Sequence, residues 1–164
     1  MKKISLIIIC LLLCICTGCG SFSTECGIFS AEHVIDYYIE GTYYIANMSK
    51  IMDSKIVDTT KKDNTLNIVF ENGVEYTGEI QITDNTLIST SKIQFDELDD
   101  NKIQLFLIDA FGAEDKYLAD EFYDAYLNGN DYKKEISSNM LAEMNLSSLE
   151  NDEKLFILTL TGNW

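Results

Sequence analysis

A chain of 164 residues with 46% hydrophobic, 11% aromatic and 24% charged residues is sized for one domain with a core, and is too apolar for a disordered tail. Its twelve basic residues are all Lys, against 27 acids and one His, for a formal charge of −15. Such a surface repels phosphate backbones and anionic headgroups, and no run of Lys offsets it locally. This argues against nucleic-acid binding.

The first elements read as an address. Lys2 and Lys3 form a short positive segment, Ile4 to Ile15 is an almost unbroken apolar run, and Thr17-Gly18 supplies small residues before Cys19. The run is too short to span a bilayer as a helix, which takes about 20 apolar residues, and has the form of a signal-peptide core. The stretch Cys16-Thr17-Gly18-Cys19 resembles the lipobox of bacterial lipoproteins, with Cys16 where Leu is usual. Cys10, Cys14 and Cys16 lack the small residue that precedes Cys19. The resemblance implies cleavage before Cys19, diacylglycerol on its thiol, and a protein held at the extracytoplasmic face of the cell membrane.

That division makes 1–18 a signal peptide, 19–29 an anchor and tether, and 30–164 a single domain. Removing residues 1–18 takes away Lys2 and Lys3 and no acid, leaving ten Lys against 27 acids, a charge of −17. Three cysteines leave with the signal and Cys19 is acylated. Cys26 alone keeps a thiol, no intrachain disulfide can form, and the domain must stand on its core.

Ser30 as an N-cap, Glu32 in the first turn and Gly41 as a stop predict a short helix over 31–40. From Thr42 the period changes to two. Strands are expected at Thr42–Met48, Lys55–Thr59, Thr65–Glu71, Val74–Ile82, Thr86–Phe95 and Lys102–Ala110. In Val74–Ile82 the residues Val74, Tyr76, Gly78, Ile80 and Ile82 share one face, with polar residues between them. A two-residue Asn72-Gly73 turn would set Phe70 opposite Glu75 and mix the faces. A three-residue loop, Glu71-Asn72-Gly73 with Gly73 left-handed, instead pairs Phe70 with Val74 and Ile68 with Tyr76. At Asp84-Asn85 two residues suffice, because Ile82 then faces Leu87.

After Phe111-Gly112 the helical period returns, with Leu118, Phe122, Ala125 and Tyr126 in a stripe and Asn128-Gly129 as the stop. A weaker helical patch is read at Ser138–Met144 and a last strand at Leu155–Thr161. The expected class is α+β: an antiparallel meander, as a half-barrel or small barrel, with an N-terminal helix and one or two helices before the last strand. The stretch Glu40-Gly41-Thr42-Tyr43-Tyr44 leading into it resembles the opening Gly-x-Trp strand of lipocalin-like barrels, with Tyr for Trp. That resemblance implies a sheet that encloses a ligand.

Candidate chemistry is sparse. His33 sits off the apolar stripe of the first helix, and a single His provides no parts for a Zn site or a His-activated nucleophile. Ser89-Thr90-Ser91-Lys92 has the Ser-x-x-Lys spacing of penicillin-recognising enzymes, but a strand sets Ser89 and Lys92 on opposite faces. The acidic stretch Asp96–Asn101 lacks the Gly and Glu of a calcium loop and reads as a solvated hairpin loop. No catalytic residue, metal or cofactor is expected. Tyr43, Tyr76, Ser89 and Ser91 are the candidate ligand-binding residues, because two hydroxyls on a core face require partners. The partners expected are the membrane, through lipid on Cys19, and a small apolar ligand or an envelope protein. Non-enzymatic binding is the favoured function; a wall-glycan hydrolase using carboxylates alone, or an inhibitory or structural envelope module, are the alternatives.

Overall fold

The computed structural model describes residues 39, 41–112, 115–149 and 153–163, the side chains of Thr42 and Tyr43 excepted. The signal segment, Cys19 and the tether lie outside the described residues, as does the helix expected over 31–40 apart from Ile39, which is buried. In chain order the elements are α1 (Thr42–Met52), β1 (Ile56–Lys62), β2 (Thr65–Phe70), β3 (Glu75–Ile82), β4 (Thr86–Phe95), α2 (Asp100–Phe111), α3 (Lys116–Leu127), β5 (Tyr132–Ser137), β6 (Met140–Ser148) and β7 (Lys154–Asn163).

The strands form one antiparallel sheet in the order β1-β2-β3-β4-β7-β6-β5. It is an α+β meander fold, open rather than closed, with β1 and β5 as its edges. Each half runs helix, then meander. The two last strands, β4 and β7, pair along their whole length, from Thr86↔Asn163 to Phe95↔Lys154.

The hairpins follow the pattern of apolar residues. At the β2–β3 turn the Phe70 amide donates to the Val74 carbonyl at 2.9 Å and the Gly73 amide to Phe70 at 3.0 Å, with Gly73 at φ 82°. Ile68 then pairs with Tyr76. The left-handed glycine lets three residues close the loop without flipping a face. At the β3–β4 turn two residues suffice, and Ile82 pairs with Leu87.

The fully buried side chains of the strands converge on one side. Leu66, Ile68 and Phe70 of β2, Tyr76 and Ile80 of β3, and Ile93 and Phe95 of β4 are buried there. So are Ala142 and Met144 of β6 and Phe156 and Leu158 of β7. The helices lie against this side. Phe106 of α2 meets Tyr76 and Phe156, while Phe122 of α3 meets Tyr132 edge-on at 4.9 Å.

Three expected elements take another form, and β5 stands where no strand was expected. Thr42–Met48, rich in β-branched and aromatic residues, is not a strand but part of α1. Burial of Met48, Ile51 and Met52 beneath half-buried Tyr44 and Ile45 gives it helical spacing. The start of the proposed lipocalin-like strand, Gly41-Thr42-Tyr43, therefore opens a helix. Lys102–Ala110 is likewise helical: within α2, Ile103, Phe106, Leu107 and Phe111 form the buried stripe. Conversely, the helical patch at Ser138–Met144 falls in a hairpin whose second strand, β6, turns Met140, Ala142, Met144 and Leu146 to the core side. Helix-forming Leu, Ala, Met and Glu are used there in alternation, and pairing with β5 and β7 overrides their propensity.

Candidate functional site

Of the candidate residues, Tyr76 and Ser91 are brought together. They belong to adjacent strands, and the Tyr76 hydroxyl lies 3.1 Å from Ser91 Oγ and 2.6 Å from the Tyr44 hydroxyl of α1. Tyr76 is 2% exposed. Burial pushes its phenol above the ordinary tyrosine value, against the pull of the bonds to Ser91 and Tyr44; the Asp109 charge adds to the rise. Ser89 lies on the same face of β4, between Ile80 and Leu160 in register. Tyr43 is in the first turn of α1, with its side chain outside the described residues. The hydroxyl of Ser91 thus finds its partner in a packed ring.

Two further polar residues join this layer. Asp109 of α2 accepts a hydrogen bond from Asn47 Nδ2 of α1 at 2.9 Å, which ties the two helices above the sheet. Its carboxyl is half-buried, and burial raises its pKa while the Asn47 bond opposes the rise. Neither residue stands out in the sequence, because alternation there suggests strands at 42–48 and 102–110 rather than facing helices. The groups set beside Asp109 are an amide and a phenol, which do not compose the paired carboxylates of a glycosidase.

The acidic stretch at Asp96–Asn101 also has a structural role and is no hairpin loop. Asp99 is the N-cap of α2, its Oδ1 accepting from the Asn101 amide at 3.0 Å. No group of His, Cys, Asp and Glu among the described residues is arranged to hold a metal ion.

A groove of about 470 Å³ opens where the ends of β4, β6 and β7 meet α3. Tyr126, Leu127, Leu146 and Leu155 give it apolar walls, and Asp100 and Lys154 stand among its lining residues. The Tyr126 hydroxyl donates to Asp100 Oδ1 at 2.8 Å. Burial and this carboxylate partner raise the Tyr126 pKa, so the phenol remains protonated there.

The other side of the sheet is left without a helix among the described residues. Register aligns Thr65, Glu79, Thr90, Thr159, Glu143 and Lys133 in one row across it. Both edges of the sheet are blunted. β1 carries a register shift between Ile56 and Asp58, and its Thr59 amide is taken by the Asp58 side chain at 2.9 Å. β5 has a shift between Glu135 and Ser137, and its Lys133 and Lys134 pair with Glu143 and Glu121. Bulges and lysines at an edge oppose the addition of another strand.

Comparison of the chain with protein-family models, with curated proteins and with solved structures finds no match. Among the described residues no helix is long and apolar enough to cross a membrane.

Proposed function

We propose that this chain is an extracytoplasmic lipoprotein, held at the membrane by diacylglycerol on Cys19 and working by contact with another envelope protein rather than by catalysis. The anchor rests on the run Cys16-Thr17-Gly18-Cys19 behind an apolar segment too short to span a bilayer. The contact reading rests on one observation, the unequal treatment of the two sheet faces. Among the described residues three helices occupy one face, where Phe106, Leu107, Phe122 and Phe156 pack and Tyr76 and Ser91 bond to each other, and none occupies the other. A sheet filled in this way favours recognition at its outer surface over enclosure of a ligand.

The groove beside Tyr126 supports a second reading, in which a small amphipathic molecule lies against Leu127, Leu146 and Leu155. Its volume is within the range that such ligands occupy, about 300–1,000 Å³. A carboxylate-only hydrolase draws less support, since Asp109 has an amide for its partner.

The test uses a membrane-impermeant amine crosslinker on intact cells, reacting at exposed lysines such as Lys61, Lys62 and Lys133. The wild-type chain gives a discrete adduct of higher mass in the membrane fraction. Cys19→Ala abolishes that adduct and releases the protein. An unmodified monomer in both strains would contradict the proposal.

A further inference from the structure

We propose that the helix-free face of the sheet is the docking surface, and that its partner is a basic folded protein; this rests on the contact reading above. The register defines the surface. Ile88 of β4, Ile157 of β7 and Leu141 of β6 are half-buried on its middle strands, with Lys92 opposite Ile157 and Glu143 opposite Thr159, and with no described helix over them. Thr90, Thr159 and Thr161 fill the spaces between. Aliphatic and hydroxyl side chains set among single charges give the mixed polarity of a non-obligate protein interface.

Charge selects the occupant. Register places Asp58, Glu75, Glu79, Glu135 and Glu143 on this face, and Glu153 joins them by accepting from Gln94 Nε2 at 2.7 Å. The lysines of the same face are Lys62, Lys92 and Lys133. Six carboxylates against three ammonium groups leave it three charges negative, on a chain that is itself −15. A second copy would bring one acidic border against another, and anionic headgroups would be repelled in the same way. A partner with Lys or Arg on its surface complements the carboxylates that flank the middle strands. The blunted β1 and β5 edges turn recognition away from strand addition and towards the face.

The test places a photoreactive amino acid, one site at a time, in the full chain in living cells. Thr90 and Thr159 sample the face; Tyr117, 77% exposed, and Asp124 sample α3. The expected result is one adduct from Thr90 and Thr159, with a protein of net positive charge, and none from α3. Its yield falls at least about tenfold in Glu75→Lys/Glu135→Lys, the cost expected when like charges meet, and less in Glu75→Gln/Glu135→Gln. Both positions are exposed, so the fold does not depend on them. An adduct with an acidic protein or a second copy overturns the proposal, as does one that survives charge reversal. Adducts from α3 alone would remove the face and leave the contact reading; silence at all four sites would remove both.

Discussion

The ring of Tyr76 lies along its own strand over Gly78, so that a Cβ built on Gly78 would come within 2.7 Å of the Tyr76 hydroxyl oxygen. Absence of a side chain at Gly78 is what lets the phenol reach Ser91, the cross-strand partner of Gly78. Gly78→Ala must push the ring aside or break its bonds, and destabilises by about 1–3 kcal/mol as an overpacked core does. Tyr76→Phe removes the hydroxyl and costs about 1 kcal/mol in lost hydrogen bonding. In the double variant the alanine costs less than it does alone, because the nearest clashing atom is gone. Urea denaturation of the four proteins measures the coupling; strictly additive effects would contradict the packing described.

Phe122 is wholly buried between Phe111 and Tyr132, each with its ring centre at 4.9 Å. Phe122→Ala should cost about 3–5 kcal/mol, enough to unfold much of a domain that has no disulfide in its described part. Thermal denaturation by circular dichroism checks this. A midpoint near that of the wild type would mean that α3 is not seated on the sheet.

Asp99 caps α2 through its side chain. Asp99→Ala lowers stability by about 0.5–2 kcal/mol, whereas Asp99→Ser, which can accept the same amide hydrogen, recovers most of it. The comparison separates capping from simple loss of charge, since both variants remove the carboxylate.

Asp109 carries a pH signature. The folded state raises its pKa, so the native protein holds that proton more tightly than the unfolded chain does. This contribution favours folding below the ordinary carboxylate range and is lost as pH rises through the raised native value. Asp109→Asn keeps an acceptor for Asn47 and cannot ionise. Relative to the wild type, its urea midpoint should be higher at pH 7 than at pH 4. The same difference at both pH values would show that the carboxyl is not held in a desolvated place.

Strands β1 to β4 and β7 were the legible part of this fold; β5 and β6 were not. Alternation in Val74–Ile82 and Thr86–Phe95, with the facing requirement at Glu71-Asn72-Gly73, specified which residues pair, since a slip of one would have exposed Ile68 and Tyr76. The helices were less so. Thr42–Met48 and Lys102–Ala110 hold enough apolar residues to satisfy both periods, and only the burial of Met48, Met52, Ile103 and Phe106 decides between them. Asp99 was the missed signal, an N-cap standing directly before α2. Pairing of β4 with β7 joins the last strands of the two halves of the domain, a relationship no local pattern carries. Among the candidate residues, Tyr76 and Ser91 were recognisable as hydroxyls on a core face. Asn47 and Asp109 were not, because their meeting depends on two helices that the alternation disguised.

The anchoring claim is met most directly by mass spectrometry of the N-terminal peptide of the protein purified from membranes. A mature chain beginning at Cys19, with diacylglycerol in thioether linkage to its sulfur, is the predicted result. A chain that retains Met1, or one cut elsewhere with a free Cys19 thiol, would contradict it.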